Sequence, residues 1–85
     1  MYSKKQILEA AQILNVTFRE FTLEDLETGV LIELEHGTIS PKTNVTNDNL
    51  ILTMKIALAH LNEFPDYYNK EYGLPALESF LNQRK

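Results

Sequence analysis

The sequence predicts an all-α protein, four to five short helices packed around one core. Three observations carry that prediction. Apolar residues recur at helical spacing in separate stretches, cap residues stand where those stretches begin, and no stretch alternates apolar with polar residues as a half-buried strand would. The chain has 85 residues, 44% of them apolar, which suits a single helical domain over residues 1–85. A chain of this size buries only roughly 60–65% of its unfolded surface, so there is room for one core.

Ser3 followed by Gln6 is a capping-box pair: the serine oxygen accepts from a free amide and the glutamine reaches back to the cap's own amide. The helix starting there carries Ile7, Ala11 and Leu14 on one stripe, with Leu8 and Ala10 alongside, and Asn15 suits a left-handed cap that closes it. Residues 16–21, VTFREF, then connect, with Phe18 and Phe21 plugging the core. Thr22 caps a second helix, with Asp25 at the third position and acids in the first turn, where the helix dipole favours them. Its buried stripe is Leu23, Leu26, Val30 and Leu34. Gly29 lies inside this helix at a cost of about 1 kcal/mol relative to alanine, which points to close approach by another segment. At the helical period Gly29, Glu33 and His36 share a flank beside the stripe.

Gly37 is expected to stop that helix, and GTISPKTNVTND reads as a loop from its Gly, Ser, Pro, Asn and Thr content. Thr46 or Asn47 is expected to cap a third helix with the stripe Leu50, Met54, Ala57 and Leu61, Ile51 and Leu58 to one side, and a partly buried His60 at the opposite edge. Pro65 suits the first turn of a further helix over PDYYNKEY, which Gly73 ends. Pro75 opens a last helix, with Ala76, Leu77, Phe80 and Leu81 expected to face inward and NQRK to fray.

Composition narrows the function. The absence of cysteine excludes disulfides, thiolate catalysis and zinc–cysteine sites. No apolar run reaches the ~18 residues that span a bilayer, and MYSKKQ leads into an amphipathic pattern rather than a signal-peptide core, so the expected location is the cytoplasm, with no membrane partner. The net charge of −4 is unevenly placed, because residues 22–36 hold Glu24, Asp25, Glu27, Glu33 and Glu35 and no base. EAAQILNVT resembles the first helix and turn of a helix-turn-helix unit, but the acids of FREFTLEDLE would repel phosphate where a recognition helix should stand. An acidic helix face instead offers a docking surface for a protein, with Glu24, Glu27 and Glu35 as its candidate residues.

ELEH (33–36) and HLNEFPDYY (60–68) mirror each other, Glu-x-x-His against His-x-x-Glu. Paired Glu-x-x-His units on helices are how bundles build carboxylate-bridged metal sites, and Glu33, His36, His60 and Glu63 would suit one divalent transition metal ion. A simple turn at 37–47 would leave His60 ~18 Å farther along the third helix than His36, so that site needs the loop to bring the motifs back together. The alternative needs no cofactor: His36 meets the carbonyls at a helix C-terminus, and His60 bonds a tyrosine or glutamate of a neighbouring segment. Ser3, Ser40 and Ser79 lie outside any nucleophile-elbow pattern, no glycine-rich phosphate loop is present, and no catalytic residue is assigned.

GVLIELEH (29–36) and IALAHLNEFPDYY (56–68) together resemble the two signatures of a family of small bacterial and phage proteins catalogued as a domain of unknown function. The resemblance rests on Glu33, Glu35, His36, Ile56, Ala57, His60, Leu61, Glu63, Pro65, Tyr67 and Tyr68, and spans roughly residues 22–70. This chain departs from the family by inserting GTISPKTNVTN after the first histidine. The resemblance implies a shared fold and a bacterial or phage origin, with no reaction attached. The function expected is therefore that of a small protein-interaction module, with a metal-binding helical module as the alternative.

Overall fold

The computed structural model describes residues 2–39, 41–44, 46 and 48–84. Among them are four helices, α1 (Lys4–Ile13), α2 (Leu23–Thr38), α3 (Leu50–Glu63) and α4 (Leu74–Gln83), and no strand. The all-α prediction holds, and among the described residues no helix is long and apolar enough to cross a membrane.

Local chemistry sets the first two helix starts as read from the sequence. Ser3 Oγ accepts from the Gln6 N–H while the Ser3 N–H donates to Gln6 Oε1, and Thr22 and Asp25 repeat this exchange at α2. Asn15 takes the left-handed conformation (φ 56°), and the Asn15 and Val16 amides return to the Gln12 and Ala11 carbonyls, so α1 closes on a Schellman motif. In the connection that follows, Phe21 is buried and meets Phe18 edge to face, with 5.9 Å between ring centroids.

The core joins Ile7, Ala10 and Ala11 of α1 to Leu26, Val30 and Leu34 of α2 and Met54, Ala57 and Leu61 of α3, with Phe21 and Tyr68 closing it. Thr53 is fully buried among these groups, and its hydroxyl donates to Thr46 Oγ1 at 3.1 Å, so neither oxygen is stranded.

Four expectations give way. Gly37 does not stop α2; it lies inside the helix, which runs to Thr38, and a Cβ there would come 3.2 Å from Asn44 Oδ1 of the returning loop. Asn49 caps α3 by accepting from the Leu52 N–H, because Thr46 is drawn into the core; Asn47 lies outside the described residues. PDYYNKEY forms successive turns rather than a helix, since the Asn69 side chain takes the Glu71 and Tyr72 amides that a helix would use. The count among the described residues is therefore four helices. Lastly, Leu77, Phe80 and Leu81 do not face inward: no residue of α4 is buried, and it is Leu74, at the start of the helix, that packs on the core.

The order of contacts shows how the chain returns. Gly37 lies against Asn44, Glu33 against His60 and Gly29 against Tyr68, so partners on α2 fall as the returning chain advances. A hairpin whose second helix began level with Gly37 would set His60 opposite residue 27; the loop displaces the pairing by about 9 Å and delivers His60 to Glu33. Gly29 makes that return possible, because a Cβ at 29 would stand 2.5 Å from Cε2 of the buried Tyr68 ring. Gly29→Ala, which elsewhere in a helix would stabilise, is expected here to lower unfolding free energy by about 1–3 kcal/mol, the usual cost of overpacking, in urea titrations followed by circular dichroism.

Candidate functional site

The two histidine motifs meet at Glu33. This carboxylate projects from the middle of α2, is nearly buried, and sits between the last turn of α3 and the turn that follows it. The Tyr68 hydroxyl donates to Glu33 Oε2 at 2.5 Å. His60 Nδ1 lies 3.1 Å from the same carboxylate oxygen and 2.9 Å from the Tyr68 hydroxyl oxygen. Since the carboxylate only accepts and the tyrosine proton is already committed to it, Nδ1 must carry the imidazole proton and share it between the two oxygens. In the neutral ring Nε2 is then the acceptor.

Aromatic packing holds the histidine in that pose. The His60 ring stacks on Tyr67 with centroids 4.2 Å apart and planes 8° from parallel, and Tyr68 meets both rings edge to face. The Pro65 turn thus places neighbouring tyrosines in different roles, one a stacking plate and the other a hydrogen-bond donor. Burial, reinforced by the bond to Glu33 and by its charge, pushes the Tyr68 phenol far above its ordinary range.

His36 joins from the side. Its Nδ1 is 3.9 Å from Glu33 Oε1 and its Nε2 is 3.5 Å from Glu78 Oε2 on α4. These spacings are ion pairs only when the imidazole is protonated, and the ring is partly exposed, so each contributes little. Glu63 is exposed and takes no part in the Glu33 bonding. Of the four sequence-predicted ligands the fold brings Glu33, His36 and His60 together and leaves Glu63 outside. Among the described residues no group of three or more His, Asp or Glu side chains is arranged around a common metal position.

The acidic candidates separate. Glu27 lies 3.7 Å from Lys4 of α1 and borders a depression with Leu31 and Leu34, while Glu35 is exposed and borders a second depression with Tyr2, Leu34 and Asp48. Glu24 faces elsewhere, toward Asn69, Lys70 and Glu71.

Sequence reading gave His60 a tyrosine or glutamate partner, and the structure supplies both. It missed that Tyr68 is the donor to Glu33 and that Glu78 reaches His36. The first carried a signal: a glycine four residues before Glu33 on the same flank leaves a ring-sized gap above that carboxylate. The second carried none, because the position of α4 is set by tertiary structure.

The fold and site define a small all-α domain in which Glu33, His60 and Tyr68 bond to one another across α2, α3 and the Pro65 turn. The chain belongs to the family described as a protein of unknown function (DUF5661), whose model matches residues 4–78. No curated protein and no solved structure matches it.

Because the folded state holds the Tyr68 proton more tightly than the unfolded chain, whose phenol titrates near 10.0, stability from this group is complete below that pH and is lost above it. The loss should approach about 1.4 kcal/mol per pH unit. Denaturant titrations at rising alkaline pH should show that slope in the wild type and a flatter one in Tyr68→Phe; equal slopes would sink the assignment.

Proposed function

We propose that this protein is a small cytoplasmic interaction module, of the bacterial or phage setting its family resemblance implies, whose groove between α1 and α2 takes a basic, amphipathic segment of a partner protein. One observation carries the reading. Two depressions, of about 520 and 220 Å³, share Tyr2 and Leu34 and so form one groove, with an apolar floor that includes Ile7 and Leu31 and with acids at its edge. Glu27 stands toward one end and Glu35 with Asp48 toward the other.

Charge and shape favour the same occupant. Glu27, Leu31, Leu34, Glu35 and Thr38 follow one another along one flank of α2, so acid, apolar and acid alternate along the groove. Lys4 beside Glu27 is an exposed partner that a ligand's base can displace at small cost. Glu27 and Glu35 are about 12 Å apart along the helix, which matches bases seven or eight residues apart on a helical ligand with leucines between.

The test uses a fluorescein-labelled helical peptide of that design in anisotropy titrations. Binding to the wild type should weaken at least tenfold in Glu27→Lys/Glu35→Lys and also with rising salt, and should be unchanged in Glu24→Lys. If the double reversal binds as tightly as the wild type, the groove is not the site.

A second reading is favoured by the position of Glu33 between His36 and His60. These three side chains do not point to a common position, so a divalent transition metal ion could be held by them only if both imidazoles turned and Glu33 left the Tyr68 hydroxyl, and binding would cost the domain that hydrogen bond. Elemental mass spectrometry of protein purified without chelator should then find one equivalent of metal, and EDTA should lower the melting temperature of the wild type but not of His36→Ala; metal-free protein with a chelator-insensitive melt would end this reading.

A further inference from the structure

The strongest unexplained feature of the molecule is α4. It is an amphipathic helix whose apolar residues are in solvent: Leu77, Phe80 and Leu81 are 52%, 53% and 51% exposed. The turn before it adds Tyr72 at 77% and the end of α3 adds Phe64 at 57%. These residues form one surface, because Phe64, Tyr72 and Leu77 line a common groove of about 490 Å³ and Phe80 and Leu81 continue from Leu77 along the helix at i+3 and i+4.

We propose that this face pairs with the same face of a second copy of the chain, about a two-fold axis near Leu77. Three arguments choose that occupant. The first is area. Half or more of five large side chains, at ~150–250 Å² for a whole aromatic one, comes to roughly 500 Å² of apolar surface per protomer. A standard interface takes ~800 Å² from each partner and is ~65% apolar in homodimers, so about 500 Å² is the apolar share it needs.

The second argument is shape. The groove lies beside the N-terminal end of α4, and Phe80 and Leu81 stand one to two turns farther on. An antiparallel crossing at Leu77 sets each groove against the other protomer's Phe80 and Leu81, which is the self-complementarity a two-fold contact requires. The third is charge. Glu78 is turned to His36 of its own chain and Arg84 lies over its own Phe80 ring at 5.7 Å, so the helix part of the face has its nearest charges directed within the protomer. It lacks the cluster of bases that an anionic membrane surface would select. Glu71, Asp66 and Glu78 around it also disfavour that surface.

Sedimentation equilibrium from about 1 to 200 µM tests the pairing. The wild type should pass from 9.8 kDa to twice that mass, with association undiminished in 0.5 M sodium chloride. Phe80→Glu and Leu81→Asp replace exposed residues, should keep the helical circular dichroism of the wild type, and should weaken association at least tenfold; Glu35→Lys should associate as the wild type does. A wild type that stays at 9.8 kDa across the range, a Phe80→Glu variant that pairs normally, or growth beyond the dimer each overturns the proposal. The acidic groove is read out by a different variant and the opposite salt response, so either surface can fail without the other.

Discussion

The Tyr68 ring lies across Gly29 and its hydroxyl ends on Glu33, and this contact determines how the returning chain sits on α2. The ring can reach the carboxylate only because position 29 has no side chain, and the carboxylate can be nearly buried only because the hydroxyl and the His60 N–H meet it. A carboxylate taken from water without such partners would cost several kcal/mol. Slippage of α3 against α2 would therefore lose packing and leave the nearly buried Glu33 carboxylate without its partners at once. The bond acts as a register device, making one arrangement of an otherwise forgiving aliphatic interface much better than its neighbours.

Polar groups elsewhere in the core follow the same logic on a smaller scale. Thr53 of α3 is fully buried, and its partner Thr46 comes from the loop rather than from a helix. The loop supplies an internal hydrogen-bond partner and is thereby held down at that residue. Tyr2 does likewise from the start of the chain, donating to the Asp48 carbonyl at 2.7 Å and tying the entry to α1 to the entry to α3. Buried or bridging oxygens thus fasten the connections that apolar packing leaves unspecified.

Stability is unevenly distributed as a result. α1, α2 and α3 share the core, whereas α4 is tied to the rest by Leu74 packing on that core, by the turn bond from the Leu74 N–H to the Tyr67 carbonyl and by the long contact of His36 with Glu78. Local opening of α4 costs little compared with opening the three-helix unit. The acidic groove is built on the firm part and the apolar face on the loosely held part, so the two surfaces differ in rigidity as well as in chemistry.

Local chemistry in the sequence determined the capping boxes at Ser3 and Thr22, the left-handed stop at Asn15 and the apolar stripes of α1, α2 and α3, because each depends on residues within a turn or two of one another. It also marked Gly29 and Glu33 as occupants of one flank. What it could not decide depended on distant partners. Gly37 looks like a helix stop until Asn44 arrives against it; Thr46 looks like a cap until Thr53 claims it; and PDYYNKEY looks like a helix until Tyr68 is committed to Glu33 and Asn69 turns on the chain. The apolar residues of α4 read as core because amphipathic periodicity shows that a helix has an apolar side but not what lies opposite it. Tertiary structure decided that, because the core is already filled by three helices, Phe21 and Tyr68.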